Sequence, residues 1–378
     1  MSKCLNLPLI NTATEENGLT QTAIARQLGV TKAAVSKWLT GKSLPRAPEL
    51  LKLGKLLTLR YADLVQTTDE PLIAFRKRGA CKTTPAHVQR AKNMGHFLEP
   101  LVEYLDFDAF IAPGSLKAPS DAYSYIQSLV TKLRREVGIS DSEPIKFEDL
   151  IAKFQKHQAV IIPTLWGKKH ENALHVYLPK SKTTWIYLNL DSELHDFKFW
   201  MAHELAHVLS VSLLEKNELD LAEDFADHFA GALLFPEKAA KKTYEKYASA
   251  RTERARINEL VMAAEKYQIS PNSVYKELGR FAGEYDQPFK EVRNDKLFPA
   301  ITQFNKQFPL LSETLFDGET PSADHFMRVA QEQFETHFYK ALGEFIRATD
   351  ATPATISRIM DIPLLDAKSY YEALTTTG

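Results

Sequence analysis

Two histidines four residues apart, His203 and His207, with Glu204 between them, carry the plainest chemistry in this 378-residue chain. Positions i and i+4 are one helical turn apart, so both imidazoles leave the same face of a helix. This is the H-E-x-x-H arrangement. Two histidines bind zinc, and the glutamate reaches a water on the metal as general base of a metallopeptidase. A catalytic zinc takes a third protein ligand and keeps one position open for water. Sixteen residues after His207, Glu223 begins E-D-F-A-D-H-F-A, with apolar residues at helical spacing. Glu223 is the preferred third ligand because Ala226, Asp227, Phe229 and Ala230 frame it as an inward face. Asp224 is its main rival. Asp220 and Glu218 are nearby carboxylates, and His228 falls on another side of the helix. Asp227, one turn after Glu223, is the expected carboxylate that orients a histidine ring. H-E-x-x-H alone also occurs on ordinary amphipathic helices, and the acidic helix at this distance is what argues for a metal.

The stretch from Phe199 to Pro236 resembles the ImmA/IrrE family of zinc metallopeptidases, gluzincin-like proteins of bacteria and their phages. That family's pattern is an aromatic lead-in, H-E-x-x-H, a short spacer and E-x-x-A-[ND]-x-F-A-x-x-L-L-x-P. The matching positions here are Phe199, His203, Glu204, His207, Glu223, Ala226, Asp227, Phe229, Ala230, Leu233, Leu234 and Pro236. Two positions depart: Asp227 stands where Asn is usual, and Phe235 where Met is usual. Neither is a metal ligand. The resemblance implies a Zn2+ cofactor and a small sheet beside the H-E-x-x-H helix, whose edge strand binds an extended peptide by strand addition. It also implies a narrow protein substrate, a helix-turn-helix repressor whose cleavage releases a stress, prophage or mobile-element programme.

A second constellation lies near the N-terminus, in T-Q-T-A-I-A-R-Q-L-G-V-T-K-A-A-V-S-K-W-L. Thr20 and Thr31 are N-cap candidates for two short helices, and Gly29 permits the tight turn between them. Ile24, Ala25, Leu28, Val35, Trp38 and Leu39 form the inward faces, and Ala25 allows a close crossing. Two short helices around a Gly turn are the DNA-binding helix-turn-helix. The stretch from Leu19 to about Val65 resembles the Xre/Cro-type family. By that resemblance Gln21, Lys32, Ala33, Ser36 and Lys37 are the expected DNA contacts, with Lys42 and Arg46 near phosphates. A small protein–protein module of the same topology is the bland alternative; the basic, short-polar outward face favours DNA.

These elements need a chain long enough for several cores, and 378 residues with 44% apolar and 25% charged residues suffice. Charge is unevenly placed. Residues 1–100 hold 15 Lys and Arg against 7 Asp and Glu, while the remainder holds 32 against 41. A basic head on an acidic body points to a polyanionic partner for the head. Cys4 and Cys81 are too few for a disulfide framework or a thiolate zinc site. With no run of eighteen apolar residues and no signal-peptide pattern, a cytoplasmic protein without membrane contact is expected. A homodimer is among the assemblies the sequence allows.

The expected fold class is α+β, predominantly helical. Residues 1–68 form a helix-turn-helix domain, 69–142 a helical connector, 143–284 the metallopeptidase domain, and 285–378 a helical region of unknown role. In the connector, helical patterns at 87–104 and 123–137 flank a loop at 112–120. The basic run F-R-K-R-G at 75–79 either prolongs a DNA surface or is solvated. A helix at 145–158, a strand at 159–163 and a hairpin of 173–178 with 183–190 precede the H-E-x-x-H helix. His175, His195 and Tyr187 are each candidates to stabilise an oxyanion, and the sequence does not choose among them. Helix-turn-helix cadences recur at 257–278 and 352–367, and the phenylalanines of 285–350 read as a helical core.

Overall fold

The computed structural model describes residues 2–41, 43–68, 70–74, 85–106 and 114–376. Five helices make the N-terminal bundle: Leu7–Glu16 (α1), Gln21–Leu28 (α2), Lys32–Leu39 (α3), Ala47–Leu57 (α4) and Tyr61–Leu64 (α5). Their ends follow local side-chain chemistry. Thr20 and Thr31 each accept a hydrogen bond from a backbone N–H of the first helical turn, Ala23 at 3.2 Å and Ala34 at 3.1 Å. Gly29 ends α2 at a φ of 71°, a left-handed conformation that a side chain would resist. Ile24, Ala25, Leu28, Val35 and Trp38 are buried together with Leu50, Leu53 and Leu57 in a core of their own. Leu39, expected inside, is half-buried. Ser2–Leu5 (β1) pairs antiparallel with Val65–Thr68 (β2) and ties the two ends of the bundle together.

The remaining described chain surrounds a four-stranded sheet. Its strands are Leu72–Ala74 (β3), Ala159–Thr164 (β4), Ala173–Leu178 (β5) and Thr183–Asn189 (β6), in the order β3-β5-β6-β4. β4 runs parallel to β6, and the other pairings are antiparallel. The hairpin of β5 and β6 stands where the alternating or β-rich runs predict it. β3 comes from the stretch assigned to a helical connector, where three residues carry too little periodicity to be read as a strand. Pro85–Leu98 (α6), a 3-10 segment Glu99–Tyr104, Tyr123–Glu136 (α7) and Phe147–Lys156 (α8) accompany the sheet.

Alternation along the strands assigns the two sheet faces. Tyr187 of β6 donates its hydroxyl to the carbonyl of Ile359 at 2.6 Å, and Tyr339 donates to Pro163 at 3.0 Å. That face is therefore covered by the C-terminal helices: Asn294–Asn305 (α15), Leu311–Leu315 (α16), Ala323–Phe334 (α17), Phe338–Ala348 (α18), Pro353–Met360 (α19) and Leu364–Thr376 (α20). Phe304, Phe316, Phe326, Phe334 and Phe338 are buried in the same core as the sheet, as the helical-core reading expects, whereas Phe298 is 56% exposed. His175 of β5 points to the opposite face, toward Leu194–Leu209 (α9). Val211–Glu215 (α10) and Leu219–Leu234 (α11) follow, then Glu237–Ser249 (α12), Glu253–Tyr267 (α13) and Pro271–Glu284 (α14). No described helix is long and apolar enough to cross a membrane.

Candidate metal centre

α9 is buried on nearly every side, as its apolar sequence F-W-M-A-H-E-L-A-H-V-L requires. It packs along α11, and both helices present small residues in i, i+4 rows: Ala202 and Ala206 on α9, Ala222, Ala226 and Ala230 on α11, all fully buried. Small ridges let the two axes approach. The C-terminal turn of α11 is held by Arg134 of α7, whose guanidinium donates to the carbonyl of Leu233 at 2.7 Å. A cation at that end also complements the helix dipole.

This packing brings three donor groups together. His203 Nε2 lies 3.1 Å from His207 Nε2. Glu223 places Oε2 3.6 Å from His203 Nε2 and Oε1 3.4 Å from His207 Nε2. One atom from each of the three lies within 4.8 Å of the others, the only such His/Cys/Asp/Glu group among the described residues. His203 and His207 are buried and Glu223 nearly so. His203 Nδ1 meets Asp227 Oδ1 at 3.0 Å. With Nδ1 donating, the neutral ring keeps its free lone pair on Nε2, the atom that faces the cluster.

The electrostatics run the same way. Burial opposes a charge on Glu223, yet the two imidazoles outweigh it and hold its carboxyl at about 2. Burial also opposes a charge on His203, and Asp227 and Glu223 overcome that and hold its imidazole at about 9. Two nitrogens and an anionic carboxylate in a buried spot that favours positive charge are a donor set suited to zinc. Among the described residues Glu223 Oε2 and His207 Nδ1 have no hydrogen-bond partner, which leaves that carboxylate oxygen available as a ligand.

Of the rival carboxylates, Asp220 and Glu218 are exposed at the start of α11. Asp224 is exposed on the side of α11 that lines a cavity of about 620 Å3. His228 lines that cavity as well. Phe199, Trp200, Asp227, Lys276 and Arg280 complete much of its wall, so it opens beside the carboxylate that orients His203. Trp200 meets the His203 ring edge-on at 5.6 Å. Glu277 is buried at this cavity, and burial, partly offset by Arg280, pushes its carboxyl up to about 7. A Cβ at Gly231 would come within 2.4 Å of the Glu277 carboxylate, so α11 needs glycine there. Nothing in the spacing of the sequence singles out Glu277 or Trp200.

Glu204 is buried on α9 with Oε2 3.4 Å from Nδ1 of His175, and the His175 ring lies 5.4 Å from that of His207. Burial drives His175 toward its neutral form, against the pull of Glu204. The other two oxyanion candidates point elsewhere. Tyr187 is turned to the C-terminal helices, and His195 packs against Phe304 and Phe308. A strand's two faces look alike in sequence until the partners on each side are known, so only tertiary packing separates His175 from Tyr187.

In the N-terminal bundle, Lys32, Ala33, Lys37 and Arg46 are exposed, while Gln21 and Ser36 are half-buried. Lys42 and the basic run 75–79 lie outside the described residues. α3 thus presents a short, basic outward face, the form of a helix that enters the major groove.

These two constructions define two classes of domain, a helix-turn-helix and a metallopeptidase-like domain. Comparison with family models agrees: residues 13–64 match the family described as Helix-turn-helix, and residues 156–278 match the IrrE N-terminal-like domain. The chain therefore carries both an Xre-like head and an IrrE/ImmA-like peptidase-family domain. Comparison with curated proteins and with solved structures returned no match.

Proposed function

We propose that this protein is a DNA-binding, zinc-dependent endopeptidase of the cytoplasm that cleaves a helix-turn-helix repressor in a stress, prophage or mobile-element response. The observation that supports it is the convergence of His203, His207 and Glu223, with Glu204 alongside and Asp227 behind His203. His203, His207 and Glu223 would hold the zinc. A bound zinc supplies Lewis acidity toward a water and a peptide carbonyl. Glu204 accepts a proton from the attacking water and returns it to the leaving amine nitrogen. Asp227 fixes the His203 tautomer, and His175, 3.4 Å from Glu204, is the candidate donor to the polarised carbonyl oxygen. The head brings the enzyme to operator DNA through Lys32, Lys37 and Arg46, with Gln21, Ala33 and Ser36 reading from α2 and α3.

New protein N-termini are mapped in native host cells carrying wild type or Glu204→Gln, with the triggering stress varied. A fragment made only by wild type identifies substrate and activity together. The variant is expected to keep zinc and melting temperature and to lose cleavage by about 10^2–10^4-fold; retained cleavage removes Glu204 from the mechanism. A second reading, a transcription regulator whose metallopeptidase-like domain binds a partner without turnover, is favoured by one observation: a strand of the chain itself already lies along the outer edge of β5.

A further inference from the structure

β5 carries His175 to Glu204, so on the peptidase reading its outer edge is the side that an extended peptide would take past the candidate metal centre. Extended peptides bind such edges by continuing the sheet. Here β3 occupies it, antiparallel and in register, with Leu72 opposite Tyr177, Ile73 opposite Val176 and Ala74 opposite His175. Ile73 and Ala74 are buried in the body's core. Because residues alternate along a strand, Ala74 shares the face of His175, the metal side. α6 clamps the strand from the other face. A Cβ at Gly95 would stand 2.5 Å from Pro71 and 3.0 Å from Val176, so glycine alone lets the helix lie this close to both. Lys92 of α6 pairs with Glu70 at 2.7 Å, just before β3.

We propose that Leu72–Ala74 is a built-in occupant of the substrate track, and that its register is the template for the cleaved protein. The proposal rests on the peptidase reading of the same site. Among the described residues β3 pairs with His175, Val176 and Tyr177, three of the six residues of β5. An extended segment that pairs along β5 competes with it for the same edge. The substrate class is an extended segment with an apolar residue opposite Val176 and a small one opposite His175. Displacement of β3 is then the step that admits substrate, and it connects the stretch next to the DNA-binding head with the metal centre.

The test uses the full chain carrying Glu204→Gln, so that binding is read without turnover. The probe is a fluorescein-labelled synthetic peptide containing Glu-Pro-Leu-Ile-Ala, the sequence of residues 70–74. Ile73→Pro, in the middle of the paired strand, should bind the probe at least tenfold more tightly than the unsubstituted strand. Leu72→Asp, at a half-buried position, should do so as well and covers the case in which Ile73→Pro does not fold. Equal affinity in a folded variant with normal zinc content overturns the proposal. On the unsubstituted strand, excess probe should speed amide hydrogen exchange of Leu72–Ala74 while His175–Tyr177 stay protected; unchanged exchange of Leu72–Ala74 also overturns it. Probe binding without any wild-type-specific fragment in cells would sink the peptidase reading and leave the occupied track standing.

Discussion

The head and the metal centre are both pairs of helices that present polar side chains, but they are held together differently. In the head, α2 and α3 are neighbours in sequence, their caps come from their own flanking threonines, and their core is separate from that of the body. In the metal centre, α9 and α11 depend on a sheet, on α7 and on helices from the far end of the chain. The head thus has a core of its own, whereas the candidate metal centre is a product of the whole body. A hydrogen bond from Asn217, before α11, to the carbonyl of Gly41, after α3, joins the two at 3.2 Å.

The largest effect is expected from removing the proposed metal ligand. Glu223→Ala should abolish stoichiometric zinc by elemental analysis, while Asp224→Ala keeps it and operator-type DNA binding stays unchanged in both. Loss of zinc in Asp224→Ala instead would move the ligand, and loss of DNA binding in Glu223→Ala would end the independence of the head. Asp227→Ala should weaken zinc affinity about 10–100-fold in competition with a chelator, the range for a residue that orients a ligand.

A buried acid of the body gives it a pH signature of its own. Glu277 is buried with its carboxyl raised to about 7. A raised acid binds its proton more tightly folded than unfolded. Its stabilisation is present below the ordinary glutamate value and is lost as pH rises through about 7. Glu277→Gln should therefore gain about 1–3 kcal/mol relative to wild type between pH 4.5 and 7.5 in denaturant titrations. A pH-independent difference would remove that reading.

The smallest effects belong to the head. Thr31→Ala removes the cap of α3 and should cost about 1 kcal/mol in the melting of the N-terminal bundle, with zinc content untouched. Lys37→Ala should weaken DNA binding evenly across sequences and reduce the salt slope by about one ion. A sequence-dependent loss would make Lys37 a base reader instead.

Much of this protein was legible in its residues. Thr20, Gly29 and Thr31 announce the head's helices because capping and a left-handed turn are decided within a few residues. The spacing of His203, Glu204 and His207 places both imidazoles on one face of α9 because the helical repeat is local geometry. Alternating or β-rich runs separated by P-K-S-K likewise mark the hairpin of β5 and β6. The inward framing of Glu223 already favoured it over Asp224, but the choice of His175 over Tyr187 or His195 beside Glu204, and of Leu72–Ala74 as the edge strand, came only with tertiary structure. Each depends on which distant surface packs against a helix or strand already formed. That is settled by burial and pairing across long stretches of chain, where no local period carries the information.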